Sequence, residues 1–266
     1  MNQPPDNPDT PAPIPQLDAR DSMILTYIAG QQLVTRDHIG ALLASREGTD
    51  IQVSRAPAEM RTKHLVALGL LARQPIFHQR PAIYQITRPG LQAIGSNLPL
   101  PAHESLRSLQ HDLAAGWLWL AVLRGAFGPH EYILTRRQLV DQDLATRRQD
   151  KQAAPSKSLG EGQASPFSVR TTTAGSARRH YPDLIFTTNG RTVAVELLLY
   201  TIGRDRLRST ILAYGQDHST TAAILLPQPA ETAQLLRDLV AECGYHDRVQ
   251  VDPFELTPTL ATAAGW

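Results

Sequence analysis

Asp183 and Glu196 are the residues of this chain whose type and spacing could do chemistry. They lie in the stretch 178–200, RRHYPDLIFTTNGRTVAVELLLY. Two runs rich in β-formers, 181–187 and 191–200, flank Asn189-Gly190. Asn-Gly between apolar runs signals a two-residue type I′ hairpin, because both central residues take positive φ. That turn sets Thr188 against Arg191. Counting back along both strands sets Asp183 against Glu196 on one face, with Cβ atoms about 5 Å apart. Like charges so placed repel unless something neutralises them. Hard carboxylate oxygens suit Mg2+ or Mn2+, so the pair reads as a metal site and as catalytic. On the other face, Leu184 and Phe186 would meet Val195 and Val193, an apolar layer behind a polar one. The plain alternative is a Pro-Asp turn leading into an ordinary strand.

A phosphoryl-transfer site also needs a positive group. Arg204, Arg206 and Arg208 lie on the next expected helix, 204–214, and Arg204 is the first candidate. Further acids that could serve as outer ligands are Glu131, Asp141 and Asp143, on a short strand at 131–134 and a helix running from 135 to 147 with Thr135 as its cap. Between them and the hairpin, 150–177 is rich in Ser, Gly, Thr and Pro and lacks periodicity, so it reads as a mobile loop. After the hairpin the pattern gives a buried strand at 222–226, a helix at 231–242 and a short strand at 249–251. Helix, hairpin, helix, strand, helix and strand in that order fit an α/β domain with a mixed sheet. The chain has no GxGxxG or Walker loop.

The N-terminal part has a different character. Residues 1–16 carry Pro4, Pro5, Pro8, Pro11, Pro13 and Pro15 and little to bury, so they read as a disordered tail. Three helices follow, at 18–29, 36–44 and from 55, then a strand, a turn, a strand and a short helix at 88–94. Met60, Leu65 and Leu68 are the expected inward residues of the third helix. This order resembles the winged helix, a helix-turn-helix variant whose third helix enters the major groove while its hairpin touches the backbone or minor groove. Between 54 and 91 the charged residues are Arg55, Arg61, Lys63, Arg73, Arg80 and Arg88 against the single acid Glu59, a footprint of phosphate contact. Arg55, Arg61, Thr62 and Lys63 of the third helix, with Arg73, His78 and Arg80 of the wing, are the expected DNA-binding residues. A protein-interaction module is the alternative for such a fold. Residues 97–103 read as a linker, and 104–124 as a long amphipathic helix with Leu106, Leu109, Leu113, Trp117 and Leu120 on one stripe.

Whole-chain properties bound these readings. Net charge is +1, so any nucleic-acid signal is local. A single cysteine, Cys243, excludes an intramolecular disulfide and a cysteine-based zinc site. No apolar run approaches a membrane span, and no basic segment followed by an apolar core opens the chain. A cytoplasmic protein is expected.

The Pro-Asp, hairpin and Glu arrangement resembles the PD-(D/E)xK nucleases, in which a Lys follows the Glu by two residues; here that position is Leu198. More widely, His111-Asp112, Pro182-Asp183, Val195-Glu196, Arg204-Asp205-Arg206-Leu207 and Tyr214 resemble the replication-relaxation family of actinobacterial plasmids and integrated conjugative elements. Many relatives carry a second acid and a Lys after the Glu, where this chain has Leu198 and Ile202. The resemblance covers most of 17–254. It implies an α+β chain: a winged helix-turn-helix at 17–96, a linker at 97–103, a restriction-endonuclease-like α/β domain at 104–255 and a tail at 256–266. It also implies a DNA-binding accessory or regulatory role in plasmid replication or mobilisation, with a degenerate nuclease-like domain. The alternative is a metal-dependent endonuclease using Asp183 and Glu196. Double-stranded DNA is the implied partner, with a relaxase or replication protein, or a second copy of the chain, as further candidates.

Overall fold

The computed structural model describes residues 17–47, 54–75, 81–101, 106–153, 168–173, 176–228 and 230–253. The expected tails at 1–16 and 256–266, and His78 and Arg80, lie outside them. The fold is α+β, with a mixed sheet.

The chain enters on α1 (Ala19–Gly30), whose N-cap Asp18 accepts a hydrogen bond from the Asp21 amide at 2.8 Å. A two-residue strand β1 (Val34–Thr35) leads into α2 (Arg36–Glu47) and α3 (Arg55–Ala67). Strands β2 (Leu71–Gln74) and β3 (Ile83–Ile86) and helix α4 (Arg88–Ala93) complete this part. The three strands form an antiparallel sheet in the order β1-β3-β2. β1 was not expected, since two residues show no periodicity.

The phase of α3 differs from the sequence reading. Its buried stripe is Ala58, Thr62 and Leu65, whereas Met60 is 64% and Leu68 39% exposed. Thr62 is therefore not on the outward face. Its hydroxyl donates to the Ala58 carbonyl one turn back, which lets a polar residue sit in a core.

Helix α5 (Leu106–Leu123) is apolar on two sides. Trp117 and Leu120 enter the core formed by α1, α2 and α3, while Ala114, Leu118 and Val122 pack on the larger sheet. Buried His38 joins these layers. Its Nδ1 accepts from the Thr35 amide at 3.2 Å, its Nε2 donates to the Leu113 carbonyl at 3.0 Å, and its ring stacks on Trp117. Gly116 leaves room for this contact, since a Cβ there would lie 3.0 Å from the His38 ring.

The remaining elements are β4 (Ile133–Thr135), α6 (Arg136–Ala153), β5 (Val169–Thr173), β6 (Ser176–His180), β7 (Leu184–Thr188), β8 (Arg191–Leu198), α7 (Arg204–Gln216), β9 (Ala222–Pro227), α8 (Ala230–Cys243) and β10 (Val249–Val251). Five strands form one sheet in the order β10-β9-β8-β7-β4. Its β10, β9 and β8 pair in parallel, and β8, β7 and β4 pair antiparallel. The β7–β8 turn has Asn189 at φ 49° and Gly190 at φ 69°, and Thr188 pairs with Arg191 as the Asn-Gly signal requires.

The face of the hairpin bearing Asp183 and Glu196 is not a polar surface. Ile185, Ala194 and Leu198 on that side are buried against α7 and α8, because parallel crossovers cover the sheet a second time. Nor is 150–177 one loop. α6 continues to Ala153, and β5 pairs with β6 as a hairpin. Its strands, VRTTT and SARRH, lack the apolar alternation that marks a half-buried strand.

Candidate functional site

Asp183 stands just before β7, and its amide bonds the Val195 carbonyl at 3.0 Å. This extends the hairpin ladder by one step and brings Asp183 alongside Glu196, the two acids the sequence singled out. Both are buried, at 4% and 5% exposure. Asp183 Oδ2 accepts from the Leu197 amide at 2.8 Å and lies 3.3 Å from His111 Nε2 of α5. Glu196 Oε1 lies 2.8 Å from His180 Nε2 of β6, and its Oε2 accepts from the Tyr214 hydroxyl of α7 at 2.9 Å.

Between the two carboxylates lies Arg136, which the sequence did not single out. Its Nη2 is 3.0 Å from Asp183 Oδ1 and 3.7 Å from Glu196 Oε1, and it also donates to the Tyr181 carbonyl at 2.8 Å. Arg136 is the first residue of α6, directly after β4, and its amide bonds the Asp183 carbonyl. The β4–β7 pairing thus delivers the guanidinium from a position 47 residues upstream of Asp183, where no local motif announces it.

The electrostatics follow from this packing. Burial opposes ionisation of Asp183, but the Arg136 and His111 charges and the Leu197 amide overcome it and hold the carboxyl below its usual range. Burial likewise opposes protonation of His111, yet Asp183 raises its pKa on balance. For Asp112, burial dominates and pushes the carboxyl up to about 6, against the pull of His111 and Arg136. His111, Asp112, Arg136, His180 and Glu196 line an open cleft of about 630 Å³ that also takes in Ser108, Tyr200 and Arg206.

Asp183 and Glu196 have the donor chemistry for a divalent cation, but this arrangement does not fit one. Their oxygens are engaged by His111, His180, Tyr214 and the Leu197 amide, and a guanidinium supplies the positive charge. Among the described residues no three His, Cys, Asp or Glu side chains are grouped to hold a metal ion. The Lys position of the nuclease pattern, Leu198, is buried in the apolar core. Arg204 is not brought to the carboxylates, since it pairs with Glu242 of α8 at 2.6 Å. Two of the three candidate outer acids are committed elsewhere too. Asp143 is held by Arg147, Arg179 and Tyr181, and Glu131 accepts from the Gly190 amide of the hairpin turn.

The expected DNA-binding residues divide. Lys63 is 77% exposed and paired to Glu59, Arg55 is half-exposed beside Asp37, and Arg73 is exposed on β2. Arg61 instead turns towards the start of α1, where Asp18 and Asp21 hold it. The outward face of α3 is formed by Ala56, Met60, Lys63, His64 and Ala67.

No protein-family model, curated protein or solved structure matches the chain. Among the described residues, no helix is long and apolar enough to cross a membrane.

Proposed function

We infer that the chain is a DNA-binding accessory or regulatory protein of plasmid replication or mobilisation. In this reading residues 17–96 are a winged helix, and the rest is a nuclease-like domain that binds DNA or a partner without cutting. The observation that carries it is the solvent face of α3, where Lys63 and His64 flank Met60 on a helix anchored from behind by Ala58, Thr62 and Leu65. A helix so presented can enter a major groove, with lysine and arginine on phosphates and an apolar side chain against a thymine methyl. Three helices and the β1-β3-β2 sheet support the winged-helix assignment, with the cytoplasm as its place of action.

The Arg136 bridge favours binding over cutting, because its guanidinium already meets part of the charge that a catalytic cation would neutralise. A metal-dependent endonuclease remains the second reading. It is favoured by the adjacency of Asp183 and Glu196, the second of which lines an open cleft with Arg136, whose side chain is 43% exposed. The test is supercoiled plasmid with Mg2+ or Mn2+, scored for retention and for nicking. Retention without nicking is expected. Nicking that disappears in both Asp183→Ala and Glu196→Ala would establish the endonuclease instead, and loss of retention altogether would remove DNA as the partner.

A further inference from the structure

The open cleft beside the carboxylates holds two guanidiniums that the acids do not use up. Every contact of the Arg136 side chain among the described residues runs through Nη2, to Asp183, Glu196 and the Tyr181 carbonyl, and the exposed remainder of that side chain lines the cleft. Arg206 of α7 lines it too, is exposed, and has no acid partner among the described residues. Gly203, the N-cap of α7, stands at the same wall without a side-chain cap, which adds the positive end of a helix dipole. Two acids also line the cleft. Glu196 is engaged on both oxygens by His180 and Tyr214, and Asp112, pushed up to about 6 by burial, is half protonated at pH 6. Guanidiniums placed so suit the oxygens of a phosphate group.

Size and an aromatic wall narrow the source of that phosphate. About 630 Å³ lies within the range of pockets that enclose one small ligand, roughly 300–1,000 Å³, which is room for a nucleotide and not for a duplex. Tyr200, in the run that joins β8 to α7, lines the cleft half-buried, and its hydroxyl donates to Gln110 of α5 at 2.5 Å. Its side chain is thus tied at both ends. An aromatic side chain beside cations is the pattern that holds unpaired strands, because a base stacks on the ring while the backbone meets the charges. In a duplex the base faces are already covered by their neighbours. We propose that the cleft takes one nucleotide of single-stranded DNA, with its phosphate on Arg136 and Arg206 and its base on Tyr200. This rests on the DNA-binding reading and gives the sheet part its share of it: α3 meets duplex, and the cleft meets unpaired strand.

The test is anisotropy of a fluorescein-labelled oligothymidylate against the full chain at pH 6 with EDTA, beside a labelled duplex under the same conditions. The strand should bind. Arg206→Ala and Tyr200→Leu should each weaken it about tenfold, since one charge-assisted hydrogen bond and one base stack are each worth about that factor. Both residues lie outside the apolar cores. Tyr200→Phe, which keeps the ring, should stay close to the natural chain. Duplex affinity should change less than about twofold in all three variants. Duplex binding without strand binding would overturn the proposal and leave the DNA reading standing, whereas absence of both would bring the two down together. Strand binding unchanged by Arg206→Ala and Tyr200→Leu would overturn the assignment to this cleft. Thymidine 5′-monophosphate competing as strongly as the unlabelled strand would make a free nucleotide the ligand, and that too would overturn it.

Discussion

At the scale of single residues, the centre of the molecule is a charge-balanced knot. Arg136 is the one full positive charge that touches both Asp183 and Glu196 among the described residues. Arg136→Ala leaves two buried carboxylates without it. Breaking a buried pair from one side costs about 3–5 kcal/mol, and the lower end applies because Arg136 is half-exposed. Urea unfolding should therefore show a loss of about 3 kcal/mol, with Arg136→Lys recovering only part, since a point charge cannot span both acids. His38 gives a pH prediction. Burial lowers its pKa from 6.5 to about 4, so between those values the unfolded chain binds more protons than the folded one. Stability then rises with pH across that window and falls on acidification, by about 3 kcal/mol for this residue when the pH is below both values. Urea midpoints at pH 7, 5 and 4 should fall less steeply in His38→Gln than in the natural chain. A parallel decline would assign the acid sensitivity to other groups; Asp183 is not among them, since a carboxyl depressed below its ordinary 3.8 loses its contribution only below that pH.

At the scale of elements, legibility tracks how local each signal is. The β7–β8 hairpin was readable to the residue, because Asn189-Gly190 admits one turn and that turn admits one register. This is also why the carboxylate pair was legible. Arg136 was not, because its place depends on β4 pairing with β7, a contact between distant segments that three residues of strand do not advertise. The phase of α3 is hidden from the sequence for a related reason. Met60 and Leu68 look like core residues by type, but the packing partner fixes the helix phase and chose Ala58 and Thr62. α5 shows one apolar stripe in the sequence and two in the structure. It packs tightly on the N-terminal part at Gly116, where the Tyr27 hydroxyl donates to the carbonyl at 3.1 Å. Gly116→Ala should destabilise by up to about 2 kcal/mol. Overpacking costs about 1–3 kcal/mol, against roughly 1 kcal/mol of helix propensity regained. A melting temperature raised by this substitution would contradict the packing account.

At the scale of the whole molecule, α5 ties a helical part with a solvent-facing α3 to a sheet whose buried acids stand beside an open cleft. Its two apolar sides make one helix serve both cores. The proposed division of labour is that α3 reads DNA and the sheet part holds DNA or a partner. If so, affinity should fall steeply with salt, since each phosphate contact releases counterions. Arg61, held by Asp18 and Asp21, is expected to contribute to stability more than to binding, so Arg61→Ala should lower the urea midpoint while leaving the salt slope near that of the natural chain.

The most direct test is anisotropy of a labelled DNA duplex against salt concentration, comparing the natural chain with Arg55→Ala/Lys63→Ala. The account predicts weaker binding at every salt concentration and a log–log slope shallower by about 2, one for each lost phosphate contact. Unchanged affinity and slope in a folded double variant would show that α3 does not face DNA, and the winged-helix reading would fall with it.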